Sequence, residues 1–301
     1  MKNFNINKLD KYVNILKGYG YILFKDELIL KSKATNKLFS INNNLKNKIY
    51  YIFIKIIHSI LEEYYLLKKV EYVIDFNTFR DLNNSNIFSL QNNILNEKDY
   101  KNFIFSSYNY VKNSKVLVII SDIDVPIGII NKSALYYHGI YNGSVLNIIN
   151  TAYSKNFCTV IINPNNNKIN IKKLNNIIND NNNKNLYENN LRNNKFYYNH
   201  IKYMFKEFIV KNNKCIKELI VLGFGLAGIS ILKLIDEDIF DESLRKSTTK
   251  IILINSELNN FYSILKSNIK KMEFWENKVV NYVPSAKSLG DVVCEIKESN
   301  W

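Results

Sequence analysis

Cysteine is scarce in this chain of 301 residues. The three cysteines, Cys158, Cys215 and Cys294, stand singly and far apart. A disulfide framework or a structural zinc site needs cysteines in pairs or clusters at short spacing, so neither is predicted and no metal site is expected. The isolated thiols indicate a reducing compartment and are expected to be buried.

The chain also lacks a run that resembles a signal peptide or a membrane span. Residues 1–8 contain no apolar core. The most apolar run, residues 49–67, is interrupted by Lys55, His58, Glu62 and Glu63. A soluble protein without a membrane partner is therefore expected.

Blocks of basic residues are a third absence, although the chain is basic overall. Lysine and arginine number 41 against 27 acidic residues, a formal net charge of +14, which suggests an acidic partner such as nucleic acid. Runs of five or six basic residues, typical of nucleic-acid-binding arms, do not occur. The composition also favours Asn, Lys, Ile and Tyr, the residues of AT-rich codons, so lysines scattered over solvent-exposed faces are the other interpretation.

Residues 218–235 are the most informative stretch that is present. A short apolar run at 219–222 is followed by glycines at positions 223, 225 and 228 and then by an apolar segment with helical spacing. This pattern predicts a buried strand, a sharp turn and a buried helix. Two superfolds place their chemistry on such a turn. A dinucleotide-binding unit has the spacing Gly-x-Gly-x-x-Gly, and an α/β-hydrolase has a Gly-x-Ser-x-Gly elbow that holds its nucleophile.

Four apolar runs rich in β-branched residues predict the central sheet. They cover residues 115–120, 157–162, 219–222 and 250–254, and helical patterns at 144–153, 198–210 and 228–239 lie between them. Continuous runs of this kind are typical of strands buried on both faces of a parallel sheet. The alternation of strands and helices predicts an α/β fold with three layers and a mainly parallel central sheet.

The N-terminal residues 1–110 are predicted to form an extension packed on this sheet. Strand-like runs at 21–24, 27–30 and 38–41 indicate a small antiparallel meander. Apolar residues at spacings of three and four predict a long helix over 45–69, with His58 in a structural role beside its apolar stripe. Further strands are predicted at 72–74 and 102–106.

The segment 163–194 is rich in asparagine and poor in apolar residues. Such a composition cannot bury enough surface to order itself fully, so a flexible, low-complexity surface insertion is predicted. Residues 1–301 are accordingly predicted to form a single domain.

Several motifs, taken in order, resemble a known family. They are Phe-Ile-Phe-Ser-Ser at 103–107, Lys-Val-Leu-Val-Ile-Ile at 115–120, Tyr-Asn-Gly-Ser-Val-Leu-Asn-Ile-Ile-Asn at 141–150 and a segment ending in Asn-Pro-Asn at 163–165. The chain resembles the argonaute-binding-protein-two domain, shared by the animal cotranscriptional regulator family. The family's Ala-His-Ser-Tyr-Gly-Gly elbow and late Asn-Trp-Val-Ser-Ser motif have counterparts at 223–228 and at 281–285, Asn-Tyr-Val-Pro-Ser. The resemblance covers residues 15–301 and implies an α/β-hydrolase-like fold.

The resemblance also implies where a hydrolase-type site would lie. The elbow serine falls on Gly225, and the acid falls on Asn255. The family's His-Gly-Ser-Gly oxyanion loop is replaced by Ser-Asp-Ile-Asp at 121–124. The predicted crevice is therefore lined by Gly223, Phe224, Gly225, Leu226, Gly228, Ser121, Asp122 and Asn255.

These replacements predict a pseudoenzyme without catalytic residues. Glycine supplies no nucleophile, an amide cannot fix an imidazolium as a carboxylate does, and carboxylates in the oxyanion loop would repel an oxyanion. The histidines, at positions 58, 138 and 200, all precede the elbow, whereas hydrolases of this fold place the catalytic histidine after the acid. Glycine at the elbow is expected to relieve the strain that a nucleophile would hold there.

Dinucleotide binding through Gly223, Gly225 and Gly228 is the alternative. It requires an acidic residue about 20 positions further on to hold the ribose. The predicted strand there ends at Asn255, with Glu257 just beyond it. A residual serine-type hydrolase is a further alternative, and no cofactor is expected on the main interpretation.

The resemblance implies an interaction module rather than an enzyme. Relatives are linked to argonaute and small-RNA handling, to heterochromatin silencing and to cotranscriptional splicing control. The expected partner is therefore a protein, either argonaute-like or a chromatin or splicing factor, with RNA as a second possibility. A nuclear or nucleocytoplasmic location is expected, and binding is expected to use surface charge and a shallow crevice beside Gly225.

Overall fold

A computed structural model describes residues 9–24, 28–32, 43–73, 101–123, 125–164, 194–256, 258 and 268–284. Some predictions fall outside the described residues. These are the third meander strand at 38–41, most of the asparagine-rich segment, and any role for Asp124, Glu257, Ser285 or Cys294.

Helices and strands alternate along most of the described chain. The helices are α1 (Asp10–Gly18), α2 (Asn43–Glu63), α3 (Lys132–Tyr137), α4 (Gly139–Gly143), α5 (Leu146–Ser154), α6 (Asn194–Tyr203), α7 (Ala227–Asp236), α8 (Glu242–Ser247) and α9 (Ile269–Lys278), and a π-helix, Met204–Val210, continues α6. The strands are β1 (Tyr21–Phe24), β2 (Ile29–Ser32), β3 (Leu67–Val73), β4 (Lys101–Ser107), β5 (Lys115–Ile120), β6 (Cys158–Ile162), β7 (Glu218–Phe224), β8 (Thr248–Ile254) and β9 (Val279–Tyr282).

Seven of the described strands form one mainly parallel sheet, in the order β3-β4-β6-β5-β7-β8-β9. The five strands from β6 to β9 in that order pair in parallel, and β3 and β4 add an antiparallel edge. β1 and β2 form a separate antiparallel hairpin. The predicted α/β fold is therefore confirmed, with all four predicted central strands in one sheet and Gly225 directly after the carboxyl end of β7.

Alternation along the central strands divides the core into two layers. Val116 and Val118 of β5 face one side, where they share a cluster with α6, α7 and α9. Leu117 and Ile119 face the other side, which is covered by α2, α5 and the hairpin. Because successive side chains of a strand point to opposite faces, a strand that is apolar throughout is buried from both sides. The three predicted layers follow from this arrangement.

The predicted long helix is shorter than its apolar pattern. Helix α2 ends at Glu63, and residues 67–69 belong to β3 instead of continuing the helix to position 69. Leu66 adopts a left-handed φ of 53°, which ends the helical conformation. Residues 72 and 73 of the strand predicted at 72–74 are thus the end of a longer strand that begins at Leu67, and residue 74 lies outside the described residues.

His58 has the structural role predicted for it. Its Nε2 lies 3.1 Å from the carbonyl oxygen of Ile127, and its ring makes edge contacts with Phe103 and Phe105. The pKa of His58 is lowered to about 4, mainly by burial and in smaller part by the nearby Lys55 and Lys69, while the hydrogen bond to Ile127 opposes this shift. The ring is therefore neutral at neutral pH, with Nε2–H as the donor.

Other differences concern element boundaries and the cysteines. The helix predicted at 228–239 runs from Ala227 to Asp236, and the one predicted at 198–210 divides into α6 and the π-helix. Helices α1, α3, α4, α8 and α9 were not predicted. The prediction of buried thiols holds for Cys158 and is wrong for Cys215, which is exposed. Among the described helices, none is both long and apolar enough to cross a membrane.

Candidate functional site

The glycine turn lies between β7 and α7 at the carboxyl edge of the sheet. Phe224 ends the strand, Gly225 has a φ of 52°, and Leu226 precedes the first residue of the helix. The Gly225 N–H donates to the carbonyl of Ile254, 3.0 Å away, which ties the turn to the end of β8. A left-handed φ favours glycine, because a Cβ strains this conformation. The turn therefore carries a left-handed residue without a side chain between the strand and the helix.

Asp122 occupies the elbow from the neighbouring strand. It follows β5, which pairs with β7, and its Oδ1 accepts hydrogen bonds from the backbone N–H of Leu226, at 3.0 Å, and of Ile123, at 2.7 Å. A Cβ built on Gly225 would overlap both carboxylate oxygens of Asp122. In an α/β-hydrolase, the N–H after the nucleophile and an N–H from the preceding loop bind the oxyanion. In this chain the N–H groups of Leu226, which follows Gly225, and of Ile123 bind a carboxylate of the chain itself.

The other two glycines allow close packing around the turn. A Cβ on Gly223 would lie 3.0 Å from the Ala227 Cβ, so this position keeps the helix close to the strand. A Cβ on Gly228 would lie 2.5 Å from the Ser256 Cβ, which is closer than real side chains approach. Phe224 is buried in the core layer that contains α2 and α5. These residues act in packing, and a glycine pattern of this kind does not need a dinucleotide to explain it.

The position assigned to the catalytic acid lies beside the elbow but carries an exposed amide. Asn255 directly follows β8 with a φ of 53°, and its N–H donates to the carbonyl of Tyr282 at 2.7 Å. The next residue, Ser256, is held by Asn281, whose Nδ2 donates to the Ser256 carbonyl at 2.8 Å. The first residue of the 281–285 motif thus fixes the loop that follows β8.

Ser121 joins the site through its backbone. Its carbonyl accepts a hydrogen bond from the hydroxyl of Tyr197 on α6, and its own side chain is buried. Burial raises the pKa of Tyr197 well above its ordinary value, and the negative charge of Asp122 raises it further. Tyr197 therefore stays protonated and supports the loop on which Asp122 stands. The sequence offers no signal for this role, because Tyr197 lies in an ordinary helical pattern.

The histidine nearest to Tyr197 in the sequence is His200, one turn further along α6. It is fully buried, and burial lowers its pKa to about 3. A neutral imidazole enclosed by protein cannot exchange protons with a substrate in solvent. Within the described ranges, no group of three or more His, Cys, Asp or Glu side chains is arranged to hold a metal ion.

The structure thus brings together Asp122, Gly225 and Leu226, with Ser121 and Asn255 beside them. The family resemblance assigned these residues to one crevice, but it did not predict that the Asp122 carboxylate would fill the turn. The same carboxylate stands at the N-terminal end of α7, where a dinucleotide would need to place its pyrophosphate. Two like charges repel each other there, so the geometry opposes the dinucleotide alternative as well.

The fold and this edge define an α/β protein with a strand–turn–helix elbow and a mainly parallel sheet. The family model of the Arb2 domain matches residues 15–289. The chain therefore belongs to the Arb2 domain family, as its motifs predicted.

Comparison with solved structures gives distant similarities. A histone deacetylase from Saccharomyces cerevisiae is 10% identical with a TM-score of 0.38, and the alignment covers 81% of each chain. The histone deacetylase Clr3 is 11% identical with a TM-score of 0.40, over 83% of this chain and 34% of that one. This chain thus spans about a third of the length of Clr3. No curated protein sequence matches the chain significantly.

Proposed function

We propose that this chain is a non-catalytic interaction module of the Arb2 domain family. The observation that carries the proposal is the Asp122 carboxylate, whose Oδ1 accepts from the N–H groups of Leu226 and Ile123. Acyl transfer at an elbow requires a nucleophile at position 225 and free donors for the oxyanion. Position 225 has no side chain, and the two donors already bind a negative charge.

The proposed partner is another protein. Support comes from the family, which is linked by resemblance to argonaute and small-RNA handling, heterochromatin silencing and cotranscriptional regulation. An argonaute-like protein or a chromatin or splicing factor is the proposed partner class, and a nuclear or nucleocytoplasmic location is proposed with it. The net charge of +14 makes RNA the second candidate.

The test is hydrolysis of an activated ester, p-nitrophenyl acetate, by the full chain. No turnover above background is expected. Because the exposed thiol of Cys215 can react with such esters, the Cys215→Ala variant serves as the matched control. Turnover that persists in Cys215→Ala and disappears in Asp122→Asn would contradict the proposal.

The dinucleotide alternative is tested in the same preparation. Titration with NAD or NADP is expected to give no saturable change in tryptophan fluorescence, because the Asp122 carboxylate repels a pyrophosphate at the start of α7. Saturable binding that strengthens in Asp122→Gly and is lost when Gly228 is replaced by alanine would favour a nucleotide site instead.

A further inference from the structure

A second surface lies at the end of the sheet opposite to the elbow. Leu67 of β3 pairs with Ser107 of β4, so Leu66 and Tyr108 stand side by side where β5 and β6 begin. The segments 64–68, 108–115, 153–157 and 214–218 meet at this end, and we call them the amino-end surface. Val73 and Pro164, where the described chain is interrupted, lie at the other end of the sheet.

Four large apolar side chains protrude from the amino-end surface. Leu66 is 69% exposed, Tyr108 76%, Val111 54% and Tyr153 71%. Leu66 and Tyr108 stand next to strand ends, at positions where polar residues normally face water. Exposed apolar side chains that share one end of a sheet mark a candidate binding surface, whereas single ones scattered over a protein do not.

The loop that carries Tyr108 and Val111 is held by specific hydrogen bonds. The Cys158 thiol lies 2.8 Å from Oδ1 of Asn109, and the Ser107 hydroxyl accepts from the backbone N–H of Thr159 at 2.8 Å. Asn213 donates to the carbonyls of Tyr110 and Asn113 from the neighbouring loop. A loop fixed in this way loses little conformational freedom when a partner binds.

The charge of the amino-end surface is strongly positive. Its segments contain six lysines, namely Lys68, Lys112, Lys115, Lys155, Lys214 and Lys217. Glu218 is the one acidic residue in them, and it forms an ion pair with Lys115 at 3.0 Å. Acidic side chains at the end of α2, including Glu63, form its border. The surface therefore combines exposed apolar side chains with an excess of positive charge, as protein interfaces often do.

We infer that the amino-end surface binds an acidic segment of another protein that also carries apolar side chains. This inference rests on the proposed function, since it names the surface and the partner chemistry of the interaction module. Leu66 and Val111 are aliphatic and offer no face for stacking a nucleic-acid base. Lys68 Nζ lies 4.1 Å from the centroid of the Tyr108 ring and already covers one face of that ring. Both observations favour a peptide over a single-stranded nucleic acid, which binds by stacking on aromatic rings.

The experiment measures fluorescence anisotropy of a labelled synthetic peptide in which glutamate alternates with leucine and phenylalanine. The full chain is expected to bind it, and the double variant Leu66→Asn/Tyr108→Ser is expected to bind about tenfold more weakly. Asparagine is chosen because it tolerates the left-handed φ of Leu66. The matched control is Tyr51→Ser/Ile269→Ser, which removes two side chains that are 59% and 75% exposed elsewhere on the surface.

Two further peptides separate charge from apolar contact. Replacement of the apolar residues by serine, or of glutamate by lysine, should abolish binding at the same concentration. Equal binding of the serine peptide, an unchanged affinity in the double variant, or tighter binding of poly-uridine RNA through the same residues would each overturn the inference. The ester assay involves none of these residues. Failure of peptide binding would therefore contradict only the inferred role of the amino-end surface, while ester turnover would contradict only the proposed function.

Discussion

The carboxylate of Asp122 lies where the side chain of a residue at position 225 would have to stand. A Cβ on Gly225 would overlap both carboxylate oxygens. The two residues are 103 positions apart in the chain and meet because β5 and β7 are neighbours in the sheet. Gly225 and Asp122 thus depend on each other. The glycine leaves space for the carboxylate, and the carboxylate accepts hydrogen bonds from the N–H groups at the turn.

Restoring the family's serine should therefore weaken the protein. Gly225→Ser would introduce a side chain into a left-handed φ of 52° and into the space of Asp122. The backbone strain alone costs about 1 to 3 kcal/mol. Urea unfolding should show at least this loss of stability, and no esterase activity should appear.

A matched glycine separates this effect from the general cost of the substitution. Gly18→Ser, at the end of α1, adds a side chain where no heavy atom lies within 4 Å. It should change the unfolding free energy little. The double variant Gly225→Ser/Asp122→Gly should recover part of the loss. Equal stability of the two single serine variants would show that Asp122 and Gly225 do not depend on each other in this way.

Removing the Asp122 carboxylate should create a site for small carboxylates. In Asp122→Gly, the N–H groups of Leu226 and Ile123 lose their acceptor, and a bound acetate or formate can replace it. Ligands that bind the folded state raise the unfolding temperature in proportion to the logarithm of their concentration. We expect acetate to raise the Tm of Asp122→Gly and to leave the wild type unchanged at constant ionic strength.

Asp241 provides the control for the acetate experiment. It caps α8 through a hydrogen bond from the Leu244 N–H at 2.7 Å, but it is exposed and has no second donor in the described contacts. Asp241→Gly should show no acetate dependence. An equal response of both variants would mean that acetate stabilises the protein in general and does not occupy the elbow.

The central sheet could be predicted because the pattern of its strands fits only one kind of secondary structure. A run such as residues 115–120 is apolar on both faces and too short for a helix, so it fits a parallel strand between two helical layers. The end of α2 could not be predicted in the same way. Leu67 continues the helical apolar pattern, and the sequence does not reveal that Leu66 takes a left-handed φ.

The residues of the candidate site could be predicted, but the contacts among their side chains could not. The glycine turn was placed at the carboxyl edge of the sheet by the strand pattern, and Asp122 and Asn255 were placed beside it by the family resemblance. That Asp122 turns its carboxylate onto Leu226 depends on a side-chain rotamer. That Tyr197 supports the loop depends on the packing of α6, and neither is encoded in local sequence patterns.

The part-buried histidine of α2, His58, should make the stability of the protein fall in mild acid. The pKa of His58 is lowered from 6.5 to about 4 in the folded chain. The full contribution of neutral His58 to the free energy of unfolding is present above pH 6.5. As the pH falls toward 4, His58 becomes protonated in the unfolded chain but stays neutral in the folded chain. The free energy of unfolding therefore declines by at most about 1.4 kcal/mol per pH unit. In His58→Gln, an N–H can still donate to Ile127 but nothing titrates, so the decline between pH 6.5 and 4 should be smaller.

Unfolding free energies at several pH values in this range check the prediction. Ser59→Ala, one position further on the same helix, removes an exposed hydroxyl that donates to Glu63 and should keep the slope of the wild type. His200 keeps its own contribution in both variants. The same slope in His58→Gln and in the wild type would argue against a neutral His58 in the folded chain.

The last prediction concerns the π-helix, in which the wider turns leave backbone carbonyls without their usual partners. The Tyr110 hydroxyl donates to the carbonyl of Ile209 at 3.0 Å and lies 3.4 Å from that of Phe208. Its ring also stacks on Phe208, with centroids 5.2 Å apart. Tyr110→Phe keeps the stacking and removes the hydroxyl, so the buried carbonyl loses its donor and stability should fall by about 1 kcal/mol or more. Amide exchange in the segment Met204–Val210 should become faster.

Tyr137→Phe, at a 52% exposed position, should change neither quantity. If the two variants unfold at the same urea concentration and exchange alike, the Tyr110 hydroxyl does not hold the π-helix, and the packing of its apolar side chains alone must do so.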